Sequence, residues 1–228
     1  IALARKLDHA ASLAHALDFA LALDQYRQDP KTALERAEAM ITFATEEGFP
    51  HYLARAMVFR GWAHTVLDEE PDSGIQEMVA GMEKQVQTGE EDDFPVFLHM
   101  MAEGYAIAGR AEEGLSKVNR AIAIAKRRGV RHWWGAELSR CKGQLLLTLS
   151  PDNHGEAEAY FKRALRLSRE QHAKSLELRA AISLADLWRT QGKSEAAREQ
   201  LGEVFAWFSE GFDSRDLKQA KALLDKLD

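Results

Sequence analysis

The stretch Ala102-Glu-Gly-Tyr105-Ala-Ile-Ala-Gly109-Arg-Ala-Glu-Glu-Gly114-Leu-Ser-Lys-Val118-Asn-Arg-Ala121 decides the fold. A small residue at Ala102, an aromatic at Tyr105 and a glycine at Gly109 read as the second half of one helix and its stop. After the short turn Ala108-Gly109-Arg110, the residues Gly114, Val118 and Ala121 mark one face of a second helix. The same phrase recurs along the chain. Ala20, Gly61, Ala102, Gly143 and Ala185 stand at intervals of 41, 41, 41 and 42, each followed three residues later by Leu23, His64, Tyr105, Leu146 or Trp188. Ala33, Gly74, Gly114, Ala157 and Ala197 follow at spacings of 41, 40, 43 and 40. A third series, Gly48, Gly89, Gly129, His172 and Gly211, falls at helix-stop positions. Three series in step mean one structural unit repeated, and units of this size stack because none buries its apolar face alone.

Each unit reads as two amphipathic helices. Ala157, Tyr160, Phe161, Ala164, Leu165 and Ser168 share one helical face, with Glu156, Glu158, Lys162, Arg163 and Arg166 mostly opposite. Ala197, Leu201, Val204, Phe205 and Phe208 repeat that pattern. Asp29-Pro30 is a helix start, and Ser73 before Gln76 and Asn153 before Glu156 have capping-box spacing. No stretch alternates with period two. The expected fold is all-α, a superhelical array of antiparallel helix pairs forming a single repeat domain over 1–228. Residues 1–8 are read as the end of a preceding repeat, because Ile1-Ala-Leu-Ala-Arg-Lys6 aligns with Ile122-Ala-Ile-Ala-Lys-Arg127, the end of an internal second helix. Five helix pairs are expected at about 10–48, 49–89, 94–129, 132–172 and 174–211. A capping helix from Asp213 to Leu227 follows, with Leu217, Ala220, Leu223, Leu224 and Leu227 inward.

Composition narrows the function. The 228 residues carry a formal charge of −6, which gives no global basic field for a nucleic-acid backbone. The single cysteine, Cys141, excludes an intramolecular disulfide and reads as a buried structural residue in a cytoplasmic protein. No apolar run reaches the roughly 20 residues a membrane-spanning helix needs. The chain starts at Ile1 with no signal-peptide pattern, so a piece of something larger is expected.

The order of small residue, aromatic or leucine at +3, glycine at +7, alanine at +12, large apolar at +16 and Ala or Val at +19 resembles the tetratricopeptide repeat. Ala102-Tyr105-Gly109-Gly114-Val118-Ala121 and Ala185-Trp188-Gly192-Ala197-Leu201-Val204 carry it best. The terminal proline is missing, and the period of about 41 exceeds the usual 34, which resembles the longer repeats of large bacterial regulators. The stretches Lys174–Lys193 and Trp207–Lys218, with Lys142-Gly-Gln-Leu-Leu-Leu147 and Phe59-Arg-Gly-Trp62, resemble the C-terminal region of bacterial signalling ATPases. Those proteins are often fused to adenylate or guanylate cyclase or protein kinase domains. The resemblance implies a sensor or scaffold attached to a nucleotide-binding domain that lies outside these residues.

No phosphate loop, dinucleotide fingerprint, nucleophile elbow or zinc-protease helix is present. His9 and His15 are six apart and fall on different helix sides, so no metal site is expected there, and His64 reads as a core residue. The acidic runs Asp68-Glu69-Glu70 and Glu90-Glu91-Asp92-Asp93 read as solvated turns. The basic run Lys126-Arg127-Arg128 with Arg131 suits a helix C-terminus, and one of Trp133 and Trp134 reads as core. The remaining candidate is the concave face, which the first helices line in tetratricopeptide arrays. Positions −6, −3, +1 and +4 from each small residue give Asp24, Arg55, Trp62, Thr65, His99, Glu103, Glu137, Arg140, Gln144, Arg179, Asp186 and Arg189 as exposed groove residues. Mixed polar and aromatic groups along a groove suit a peptide or protein partner, other domains of the parent chain included. The competing reading is a solvated inner surface holding internal ion pairs. A further alternative is a small anionic effector held by Arg140, Arg179 and Arg189. No catalysis, cofactor, metal, nucleic acid or membrane is expected of these residues, while self-association through Ile1, Leu3 and Leu7 is compatible with them.

Overall fold

The computed structural model describes residues 1–67, 71–127 and 133–227, and all regular structure among them is helical. The Asp68–Glu70 run, Arg128, Gly129 and Arg131 lie outside the described residues. The helices are α1 (Ala2–Lys6), α2 (Ala10–Tyr26), α3 (Pro30–Glu46), α4 (Pro50–Leu67), α5 (Pro71–Gln87) and α6 (Phe94–Ile107). They continue with α7 (Ala111–Arg127), α8 (Gly135–Leu149), α9 (His154–Glu170), α10 (Lys174–Thr190), α11 (Ser194–Phe205) and α12 (Arg215–Leu227). The chain divides into two compact units, Ile1–Arg110 and Ala111–Asp228.

In the first unit α2 pairs with α3 and α4 with α5, while α6 packs on α4 and α5. Asp29 caps α3 by accepting from the Thr32 amide at 3.2 Å and the Thr32 hydroxyl at 2.8 Å, with Pro30 in the first turn. Ser73 is not the cap of α5: the helix already begins at Pro71, which places Ser73 inside its first turn. Small residues let α4 and α5 approach closely. A Cβ on Gly61 would stand 2.5 Å from the Gly74 carbonyl oxygen, and one on Gly81 would stand 2.9 Å from that of Ala54. Trp62, Phe59, Phe97, Met78 and Met100 fill the interior around that contact.

The second unit pairs α8 with α9 and α10 with α11, with α7 against α8 and α12 against α10 and α11. Its core joins Phe161, Leu165, Leu178, Leu184, Leu201 and Leu217. Asn153 occupies the N-cap position of α9 without capping it; its amide donates instead to the Leu146 carbonyl at 2.9 Å, tying the turn back to α8. Helix α11 stops at Phe205, so Phe208 packs from the following loop. Trp134 and Cys141 are buried, and Trp133 is exposed. Helix α12 turns Leu217, Ala220, Leu223 and Leu227 inward.

The stop positions share a backbone state. Gly48, Gly89, Gly109, Gly192 and Gly211 have positive φ, and so do Asp8, Gln28 and His172, where a side chain accepts the same strain.

Candidate interaction surface

The first helices hold all twelve candidate residues, yet the structure buries seven of them: Asp24, Arg55, Trp62, Thr65, His99, Glu137 and Arg179. The expected exposure of these seven is therefore corrected. Gly61 lies against α5, so Trp62 and Thr65 beside it turn toward protein, and a Cβ on Gly74 would meet the Thr65 backbone and hydroxyl. The Thr65 hydroxyl donates to the Gly61 carbonyl at 2.8 Å.

The charged members are buried because they pair. In the first unit Asp24 accepts from Arg36 Nε of α3 at 2.5 Å. Arg55 reaches back to Asp18 of α2, Nε to Oδ1 at 2.6 Å, and forward from Nη1 to Asp93 at the start of α6. Its guanidinium also lies over the Phe97 ring, 5.5 Å from the centroid. Burial, the largest influence, works against the charge on Arg55, but Asp18 and Asp93 together outweigh it and hold its pKa above the ordinary value. His51 nearby is pushed down by burial and then by Arg55, and its Nδ1 lies 3.1 Å from Gln85 Nε2, as an acceptor. His99 is fully buried, with Nε2 3.6 Å from Glu103 Oε1, and Glu103 is half-buried.

The second unit repeats the device. Arg179 Nε donates to Asp216 of α12 at 2.7 Å, and its Nη1 lies 3.8 Å from Glu137 of α8. Glu137 also accepts from Arg140 Nε at 3.0 Å and from its Nη2. Of the remaining candidates in this unit Gln144, Asp186 and Arg189 face outward, while the Arg140 side chain is only 11% exposed. Arg140 Nη1 donates to exposed Gln144 at 2.6 Å, and Arg189 Nη2 donates to Asp186 at 2.8 Å, both exposed. Glu177 is the buried acid of α10. Burial pushes it up, but hydrogen bonds from Arg169 and Lys174, each 2.7 Å, hold it below the usual carboxylate range.

Sequence reasoning missed Asp18, Asp93, Asp216, Arg36 and Glu177. A signal existed for the first three. Asp18–Arg55, Arg55–Asp93 and Arg179–Asp216 are separated by 37, 38 and 37 residues, one repeat less about one helical turn. Asp72–Arg110, at 38, obeys the same offset with a 2.8 Å contact. The expected solvated turn holds for Glu90, Glu91 and Asp92, while Asp93 is drawn in by Arg55.

The geometry has counterparts among solved structures. A Podosopora anserina chain described as a kinesin light chain of nearly identical TPR-like repeats superposes with a TM-score of 0.55 at 13% identity, covering 96% of this chain and 98% of that one. A point variant of that protein gives 0.58 at 14% identity, over 87% and 95%. The fold is a TPR-like helical repeat. No family model matches the TPR-like chain. It is 28% identical over 187 residues to an uncharacterized protein of Rhizobium meliloti (strain 1021), covering 82% of this chain and 18% of that protein. The chain thus spans under a fifth of that relative's length.

Proposed function

We propose that this TPR-like chain is a non-catalytic interaction and sensing module of a larger signalling ATPase, cyclase-linked in some parents, that holds a peptide or protein partner on its first helices. The observation that carries the reading is the two-layered face of α8 and α10. Gln144, Asp186 and Arg189 present polar groups held by bonds within their own helices, Arg140 ties Gln144 to Glu137 beneath it, and buried Glu137 and Arg179 with half-buried Asp216 form an ion-pair layer in the same unit. Arginines already fixed in orientation lose little side-chain entropy when a partner carboxylate arrives. The binding set thereby narrows to the exposed members, with the buried ones as their support. The resemblance of Lys174–Lys193 and Trp207–Lys218 to signalling ATPases supplies the parent context.

Calorimetric titration of the chain with the nucleotide-binding region of its parent tests this. Binding weakened at least about tenfold, or 1.4 kcal/mol, by Arg140→Ala/Arg189→Ala supports the proposal. Binding indifferent to that double substitution, or turnover of ATP by the chain alone, refutes it. A small anionic effector is favoured instead if anionic metabolites raise the melting temperature of the native chain and not of the double variant.

A further inference from the structure

The face of α2 that carries Phe19 and Leu23 is bare. The two side chains are 63% and 56% exposed, and Phe19 lines a surface cavity of about 570 Å³ with Ser12, His15, Ala16 and Tyr52. In α10 the register equivalents are Leu184 and Trp188, 165 residues on. Leu184 is 1% exposed and Trp188 is half-buried. What packs on them is α9, the second helix of the preceding pair: Leu165 shares a core with Leu184, and Lys162 Nζ lies over the Trp188 ring, 5.6 Å from its centroid.

Helix α1 has the marks of the last turn of such a second helix. Ala4 is buried two residues before the end of α1. Ala44, Gln85, Ala125 and Ser168 are buried two residues before the ends of α3, α5, α7 and α9. Asp8 takes the left-handed conformation two residues beyond α1, as Gly48, Gly89 and His172 do beyond α3, α5 and α9. Helix α1 packs on α2, as α9 packs on α10. In this register Ile1 is the counterpart of Leu165, so the turns that would cover Phe19 and Leu23 are those leading into Ile1.

We propose that the Phe19–Leu23 face of α2 is the seat of a full-length second helix whose last turn is α1, so that these residues are interior to a repeat interface in the longer polypeptide. The seat suits an amphipathic helix with an apolar ridge, because it offers apolar side chains beside the small Ala16 and Ala20.

The proposal is tested by placing residues 154–164 of α9 directly ahead of Ile1, which completes such a helix in register, and labelling a Leu23→Cys variant with a thiol reagent. Native Cys141 is buried and gives little background. Labelling slowed at least about tenfold by the added segment, and not by a shuffled version of it, is the expected result. An unaltered rate overturns the proposal, whether or not the segment is helical by circular dichroism. Slow, concentration-dependent labelling of the chain without the segment also overturns it, since a second copy would then occupy the face. Phe19→Cys gives the same readout at a second point of the seat.

Discussion

The two units bring a first helix onto its second helix in different ways at one register position. In the first unit, a Cβ on Gly61 would meet backbone: the Gly74 carbonyl oxygen at 2.5 Å and the Met78 nitrogen at 2.8 Å. In the second, a Cβ on Gly143 would meet the Phe161 ring, at 2.6 Å from Cε1 and 2.8 Å from Cδ1, with the Ala157 carbonyl oxygen at 3.1 Å. Helices α4 and α5 are therefore joined main chain to main chain, and α8 and α9 across an aromatic side chain. A regular spacing of small residues in one sequence does not mean one kind of contact. What the period fixes is where the helices approach, and the second helix decides how hard the wall is.

The largest effect should come from testing that wall. Alanine normally gains about 1 kcal/mol over glycine in a helix interior, so an open site would be stabilised. At Gly61 the backbone of α5 cannot yield without moving the whole pair, and overpacking of that kind, at about 4 kcal/mol, leaves a net cost of about 3 kcal/mol once the helical gain is taken off. Gly61→Ala should lower the melting temperature by about 6–12 °C for a chain of this size. A calorimetric scan in which Gly61→Ala melts at or above the native chain would show that α4 and α5 separate easily.

The next contrast lies between the arginine bridges. Arg55 has close contacts to Asp18 and Asp93, whereas Arg179 is bonded to Asp216 and stands 3.8 Å from a Glu137 already engaged by Arg140. Removing Arg55 strands the buried Asp18, while removing Arg179 leaves Glu137 with a cation. Arg55→Met should cost about 2–3 kcal/mol, below the full penalty for breaking a buried pair because Asp93 keeps a third of its side chain in solvent. Arg179→Met should cost about 1–2 kcal/mol on the same reasoning. Urea unfolding of the two variants ranks them, and equal midpoints would mean that Glu137 depends on Arg179 as much as Asp18 depends on Arg55. Adding Asp18→Asn to Arg55→Met should recover part of the loss, since the stranded charge is then gone.

These bridges also show where the sequence is readable and where it is not. Helix pairing follows from Ala20, Gly61, Ala102, Gly143 and Ala185 because close approach restricts residue size, and that restriction is visible in a one-letter code. Helix stops are readable at Gly109 and Gly192, where positive φ favours glycine, but not at Gln28 or Asp8, which take the same conformation with a side chain. The arginines fell at the right register, yet their burial was not legible. A charged residue on a first helix reads as solvent-facing until its acid is found in another repeat, and those acids sit 37 or 38 residues away, outside any local window. The exposed part of the surface, Gln144, Asp186 and Arg189, needs no distant partner and was legible for that reason.

Softer contrasts should give smaller effects. Gly143→Ala trades the helical gain of about 1 kcal/mol against a ring displaced from its rotamer, about 0.5–1.5 kcal/mol. Its midpoint should stay close to that of the native chain, and a loss as large as that of Gly61→Ala would mean that Phe161 is as immovable as backbone.

Acid should separate the units by where each begins to weaken. In the first, His51 has a folded pKa pushed below its ordinary 6.5, by burial first and then by Arg55. The unfolded chain therefore takes up that proton before the folded one does, and stability is lost as pH falls from about 6.5 toward the lower folded value. A proton at His51 Nδ1 would also replace the acceptor now facing Gln85 Nε2. In the second unit Glu177 and Glu158 are held below their ordinary 4.5 despite burial, by Arg169 and Lys174 for the first and by Lys162 and Trp188 for the second. Their contribution is complete above about 4.5 and fades only as pH falls through their lowered values. Hydrogen exchange of α4 amides should therefore quicken slightly between pH 6.5 and the carboxylate range, after correction for intrinsic rates, while α10 amides hold until lower pH. His51→Gln should abolish the earlier change without touching the later one. Simultaneous loosening of α4 and α10 would mean that His51 does not set the acid sensitivity of its unit.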